Sequence, residues 1–172
     1  MMDMERLCRD IDAAEGLSLR AYPDPKSPLG IEWAKPPAKR CVGWEKLSGD
    51  PWTIGRGHTG PDVHPGSVCT LDDANEWRSA DVQEAIEECD RHIPWWRHLN
   101  EPRQRAMVEL MFNMGWLSKD RKHGLGTFVN TLRRIENGQY MNAAAGLSSS
   151  AWAKQVGPRR ANRIIRQIRD GL

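Results

Sequence analysis

No apolar run in the 172-residue chain approaches the ~20 residues needed to cross a bilayer, which excludes a membrane-spanning helix. There is no Cys-x-x-Cys pair, and Cys8, Cys41, Cys69 and Cys89 stand at no Cys/His ligand spacing, so a zinc site is not expected. Cys8 and Cys89 fall on apolar helix faces, where a cysteine serves as a small buried hydrophobe. Free thiols are the expectation, with a Cys41–Cys69 bridge as the alternative in oxidising surroundings. No internal repeat or low-complexity tract is present. The opening Met1-Met2-Asp3-Met4-Glu5-Arg6 is charged and polar within a helical pattern, unlike a signal peptide, so a cytoplasmic protein is expected. Charge is nearly balanced at +2, which argues against nucleic acid as a partner, since binding it needs a broad basic surface. Basic residues gather only at the end, where Lys154, Arg159, Arg160, Arg163, Arg166 and Arg169 face Asp170 alone.

A chain of this length suits one domain, or two lobes sharing a helix. Met4, Leu7, Cys8, Ile11 and Ala14 recur at helical spacing and Gly16 stops that helix. Between residues 17 and 69, eight prolines and many glycines exclude long helices. Short strands are predicted at Leu19–Tyr22, Arg40–Trp44 and Trp52–Arg56. Thr70-Leu71-Asp72-Asp73 is a capping-box pattern with Asp in the usual Glu position, opening a long helix to about Arg91. Further helices are expected after a cap at Asn100, from Phe128 to a stop at Gly138, near Tyr140–Leu147, and from Pro158. The class is α+β, with strands segregated in sequence from helices.

Glu15-Gly16 closes the first helix, Asp24 follows nine residues later, and Thr53-Ile54-Gly55-Arg56-Gly57-His58 comes after. Two carboxylates and a hydroxyl so placed suit hydrolysis of a glycosidic bond. One carboxyl protonates the leaving oxygen while the other, ionised, orients or activates water on the opposite face of the sugar. A helix C-terminus disfavours negative charge close by, which favours the neutral carboxyl a general acid requires. Taken singly, Glu15 is a helix-end acid, Asp24 a turn aspartate between prolines, Thr53 a strand residue and His58 a partner beside a turn. The residues by themselves leave these readings standing beside the catalytic one. Gly55 and Gly57 lack the strand–glycine–helix context of a phosphate loop.

The run Glu15-Gly16-Leu17-Ser18-Leu19-Arg20-Ala21-Tyr22-Pro23-Asp24, followed by Trp52-Thr53-Ile54-Gly55, resembles the phage-type lysozymes of glycoside hydrolase family 24. The likeness continues in Phe112-Asn113-Met114-Gly115, in Phe128 to Arg133, and in Trp152, Gln155 and Arg160-Ala161-Asn162-Arg163. Two departures stand out: residues 25–52 replace a short turn, and Arg56 stands where the family most often has Tyr.

The resemblance implies a single lysozyme-like catalytic domain over residues 1–172. A small β-lobe (about 17–69, including the insertion 25–52) is joined by a long helix (about 71–91) to a larger helical lobe (about 94–172 plus the N-terminal helix). It implies a peptidoglycan N-acetylmuramidase cutting the β-1,4 bond between N-acetylmuramic acid and N-acetylglucosamine. Glu15 would be the acid, with Asp24 and Thr53 acting on water, in a single inverting displacement that needs carboxyls roughly 6.5–9.5 Å apart. Phe112, Thr131 and Thr59 match saccharide-touching positions, Arg160 or Arg163 would position Glu15, and His58 would pair with Asp81. No metal or cofactor is implied. Such an endolysin is a monomer, held in the host cytoplasm until a holin gives access to the periplasm and wall. The rival readings are a lytic transglycosylase on the same bond, or a non-catalytic wall-binding or membrane-disrupting protein.

Three features leave alternatives open. Trp33, Trp44 and Trp52 either line sugar subsites or pack, whereas Trp77, Trp95, Trp116 and Trp152 read as core. Residues 25–52 read as a surface extension of the β-lobe, too poor in apolar residues for a second core, which either lengthens a groove or simply packs. In the terminal helix Ala161, Ile164, Ile165, Ile168 and Leu172 share a face, with Arg159, Arg163, Arg166 and Arg169 around it. That pattern describes a docked helix or one that contacts outer-membrane lipid.

Overall fold

A computed structural model of the protein describes residues 2–172. Among them, eight α-helices and a three-stranded antiparallel sheet give the α+β class. The chain divides into two compact units, Glu15–Asp81 and the residues up to Ala14 together with Val82–Leu172. Among the described residues no helix is long and apolar enough to cross a membrane.

Unit Glu15–Asp81 carries the sheet. Helix α1 (Met4–Glu15) delivers Glu15, and Gly16, at φ +74°, turns the chain into β1 (Ser18–Pro23). Strand β1 pairs with β2 (Trp52–Gly55), and β2 with β3 (His58–Thr59). The register sets Tyr22 opposite Thr53 and Thr53 opposite Thr59, so these three side chains form one row across a single face. Because side chains alternate along a strand, Ile54 and its partner His58 face the other way. Ile54 there joins Val63, Cys69 and Ala74 in a small core edged by Ala21, Trp52 and Trp77. Helix α3 (Leu71–His92) begins with the predicted capping box. Thr70 N–H donates to Asp73 Oδ2 (2.8 Å) and Asp73 N–H to Thr70 Oγ1 (3.1 Å). The Thr70 N–H also holds the Asp73 carboxyl below its ordinary range.

The strand expected at Arg40–Trp44 does not form. Its amides find partners nearby instead: Trp44 N–H donates to the Cys41 carbonyl (3.3 Å) and Cys41 N–H to Glu32 Oε2 (2.9 Å). Gly43 adopts φ +78° and a 3₁₀ turn covers Trp44–Lys46, so no amide row is left for a ladder. An unforeseen helix, α2 (Pro28–Trp33), opens the segment, with Pro28 in its first turn and Ser27 Oγ accepting the Gly30 N–H at 2.9 Å.

The other unit is built around α4 (Glu101–Met114), α5 (Val129–Glu136), α6 (Tyr140–Ser148), α7 (Ala151–Val156) and α8 (Pro158–Asp170). Leu7 and Ile11 of α1, Val82 and Cys89 of α3, Met107 and Leu110 of α4, Leu147 of α6 and Ile164 and Ile168 of α8 make one core. Each such side chain contributes about 1.5–3 kcal/mol by leaving water. Helix α7 was not foreseen, although Ser150 caps it by accepting the Ala153 N–H (3.2 Å). Asn100 does occupy the position before α4, but its side chain makes no cap and donates instead to the Gly171 carbonyl at 3.1 Å. Helix α8 is docked: Ala161, Ile164 and Ile168 are buried, while Arg159, Arg166 and Arg169 stay exposed. All four cysteines are free thiols, Cys69 and Cys89 buried and Cys41 exposed. Burial pushes the Cys89 thiol up to about 12.

Candidate active site

Glu15, Asp24 and Thr53 all belong to the sheet-bearing unit. Glu15, half-buried, sits against the tight turn between β2 and β3. A Cβ placed on Gly57 would lie 3.2 Å from Glu15 Oε2, and Gly57 has φ +92°. Glycine suits position 57 because of its left-handed backbone, and it leaves room for the close approach of the carboxyl.

Asp24 is held through its backbone. Its N–H is shared between the carbonyls of Gly49 (3.0 Å) and Pro51 (3.2 Å), and its carbonyl accepts from Ser27 N–H (2.9 Å) and Ser27 Oγ (2.7 Å). Its Oδ1 accepts the Lys26 N–H at 2.6 Å, the bond of an Asx-turn. Close packing adds to this: a Cβ on Gly30 would come 2.0 Å from the Asp24 carbonyl oxygen. Thr53, only 8% exposed, occupies the middle of the Tyr22–Thr53–Thr59 row. The register thus brings Thr53 beside the residues just before Asp24, even though residues 25–52 separate them in sequence.

Tyr22 is a residue that sequence reasoning missed. Its hydroxyl is pushed above the ordinary tyrosine value by burial first, then by the negative charges of Glu15 and Asp24. One phenol thus feels both candidate carboxylates and stays a neutral hydrogen-bond donor. The signal was available, because Tyr22 stands two residues before Asp24 within the run from Glu15 to Asp24.

On the opposite face, His58 Nδ1 lies 3.2 Å from Asp81 Oδ2, and its ring stacks on Trp77 with centroids 4.9 Å apart. These contacts tie the β2–β3 turn that carries Gly57 to the first half of α3. Arg56, in the same turn, donates from Nε to Asn75 Oδ1 at 3.1 Å. Thr59 is exposed at the end of its row.

The remaining predicted residues belong to the helical unit. Phe112, near the end of α4, packs partly buried against the core. Thr131, 7% exposed, points its hydroxyl at the backbone of α6, 2.9 Å from where a Cβ on Gly146 would lie. Arg160 and Arg163 enter a buried ionic cluster. Glu109 Oε1 accepts from Arg160 Nε (3.2 Å) and Arg163 Nη2 (2.5 Å), while Arg163 Nη1 lies 2.8 Å from Asp10 Oδ1. Arg105, 1% exposed, bridges Asp10 Oδ2 (2.5 Å) and Glu101 Oε1 (2.6 Å). Helices α1, α4 and α8 are thereby fastened by charge in a place where removing one partner strands the other, at about 3–5 kcal/mol. Glu109 was not foreseen: it sits among apolar residues of α4, and only the folded packing brings it to the arginines. Burial raises its carboxyl above the ordinary value, against the opposing pull of Arg163 and Arg160.

Set beside families of known proteins, the chain matches the family described as phage lysozyme over residues 12–167, from within α1 to within α8.

Proposed function

Because the chain belongs to the phage lysozyme family, and is thus a lysozyme that degrades bacterial peptidoglycan, we propose that it is an N-acetylmuramidase working by single displacement with inversion. The bond cut is the β-1,4 link between N-acetylmuramic acid and N-acetylglucosamine. Glu15 protonates the oxygen that leaves. Asp24, ionised, takes the proton of a water attacking the anomeric carbon from the opposite face, and the Thr53 hydroxyl orients that water. Tyr22 stays a neutral hydroxyl in the field of both carboxylates.

The observation that carries this reading is the sheet's register, which sets Thr53 beside Tyr22, two residues before Asp24, with Glu15 seated against Gly57 in the β2–β3 turn of the same sheet. The rigid seating of the Asp24 backbone and of the Glu15–Gly57 approach supports positional catalysis, in which fixed groups meet the substrate already oriented. The chain acts as a monomer and reaches the wall from the host cytoplasm through a holin-made opening. Thr59, at the exposed end of the Tyr22–Thr53–Thr59 row, is proposed to touch the saccharide.

The test uses isolated peptidoglycan. Glu15→Gln should lower turnover at least ~10²–10⁴-fold with the fold intact, because an amide cannot donate the proton. Mass spectrometry of the released muropeptides should find hydrated reducing ends, and NMR at early times the α-anomer. A 1,6-anhydro product means a transglycosylase instead, and a β-anomer means a double displacement.

A further inference from the structure

Residues 25–52 form a connection longer than the ~12–15 residues beyond which a segment with little regular structure is either functional or disordered. This one is ordered from within. The buried Glu32 carboxylate accepts the Cys41 N–H at 2.9 Å and pairs with Lys35. Leu29 N–H donates to the Ser48 carbonyl at 3.0 Å. Arg40 donates from Nη2 to the Trp33 carbonyl (3.0 Å) and from Nε to the Lys35 carbonyl (3.2 Å), and its guanidinium lies 4.4 Å over the Trp44 ring. Trp44 in turn meets Trp33 edge to face, with centroids 6.0 Å apart and ring planes at 80°.

Between α2 and the returning segment opens a groove of about 610 Å³ lined by Trp33, Trp44 and Trp52, with Lys46, Ser48 and Asp50 as polar neighbours. That volume lies within the ~300–1,000 Å³ of small-ligand sites. Trp33 is 54% exposed, so its indole is not used to fill a core. An aromatic face kept in solvent yet braced by Trp44 and Arg40 is a platform that loses little freedom when something stacks on it. A β-1,4-linked N-acetylated pyranose presents the matching surface, with apolar C–H faces for the indoles and equatorial hydroxyl and amide groups for Asp50, Ser48 and Lys46. The segment that lines the groove also seats the candidate active site, since the Gly49 and Pro51 carbonyls accept the Asp24 N–H and Trp52 pairs with Pro23.

We propose that this groove is an accessory glycan-binding site that stacks a sugar of the same peptidoglycan strand away from the scissile bond; the identity of that glycan rests on the function proposed above. The site lengthens the enzyme's hold on a polymer without adding a reacting group.

The test is a titration of the Glu15→Gln protein with the β-1,4-linked hexasaccharide of N-acetylglucosamine, read by indole N–H NMR signals and by binding isotherm. The Trp33 and Trp44 signals should shift on titration. Trp33→Ala should weaken binding about tenfold, equivalent to ~1.4 kcal/mol, and Trp33→Tyr should recover most of it by restoring a ring. Because Trp33 is mostly exposed, its replacement leaves the fold intact, which circular dichroism checks. Unmoved Trp33 and Trp44 signals, or equal affinity in Trp33→Ala, overturn the groove. Cleavage of peptidoglycan by the unsubstituted protein, measured in parallel, reports on the activity alone. A protein that cleaves but ignores Trp33 loses the groove and keeps the function, and one that binds through Trp33 without cleaving does the reverse.

Discussion

Alanine at position 30 should damage catalysis without touching substrate. Gly30 lies in α2, and a Cβ there would sit 2.0 Å from the Asp24 carbonyl oxygen, 2.8 Å from its carbonyl carbon and 3.0 Å from the Pro25 Cα. All three are backbone atoms with no rotamer to escape into, so the two segments must part by about 1 Å, a displacement that can cost ~10²-fold when it reaches a reacting group. The Asp24 backbone is what lies on the other side, and its two bonds to Ser27 stretch with it. Helix propensity pulls the other way, since Ala is better than Gly by roughly 1 kcal/mol, against about 1–3 kcal/mol for overpacking. Stability should therefore fall by no more than ~2 kcal/mol while kcat on peptidoglycan drops about 100-fold. Turbidity clearing and thermal unfolding measured on the same preparation separate the two effects. A Gly30→Ala enzyme with near-native kcat would show that α2, and not Asp24, gives way, and the argument for a backbone-seated Asp24 would fail.

Two further outcomes follow from the helical unit. Glu109 has a raised folded pKa, so the folded protein holds its proton more tightly than the unfolded chain; that contribution is full below about 4.5 and is lost as pH climbs through the raised value. Urea unfolding at pH 4 to 7 should show the stability of wild type relative to Glu109→Gln declining as pH rises, and a rising difference contradicts the burial argument. Ile164→Asp should unfold the protein by setting a charge in a fully buried position of α8. Changing the exposed Arg159, Arg166 and Arg169 to Gln should spare clearing of bare peptidoglycan. It should reduce killing of intact Gram-negative cells only if the basic exterior of α8 meets outer-membrane lipid, and equal results in both assays dispose of that role.

The local settings of Glu15 at a helix end, Asp24 in a turn and Thr53 in a strand were legible because each stands beside punctuation the sequence prints plainly: Gly16 after a helix, two prolines around Asp24, and glycines after Thr53. The capping box at Thr70 was legible for the same reason, as fixed chemistry at fixed spacing, whereas the His58–Asp81 pair was expected only from the resemblance. Arg40–Trp44 was misread because its residue types suit a strand, while its amides are claimed by Cys41 and Glu32 from within the same segment. Tertiary partners decided that outcome and left no periodic trace. The same holds for Asn100, whose side chain leaves its cap position for the Gly171 carbonyl, and for Glu109, a charge that no helical pattern would place inside a core.

The hairpin formed by β1 and β2 makes the length of chain between Asp24 and Thr53 a free parameter. Tyr22 and Pro23 are zipped to Thr53 and Trp52, and one N–H at Asp24 clasps the returning strand at Gly49 and Pro51. Whatever leaves after Asp24 must come back to the same clasp. Closing a longer loop is cheap, about 0.6 kcal/mol for each doubling of its length. New sequence can thus be spliced in at this port while the pairing of Tyr22 with Thr53 and of Pro23 with Trp52 is kept.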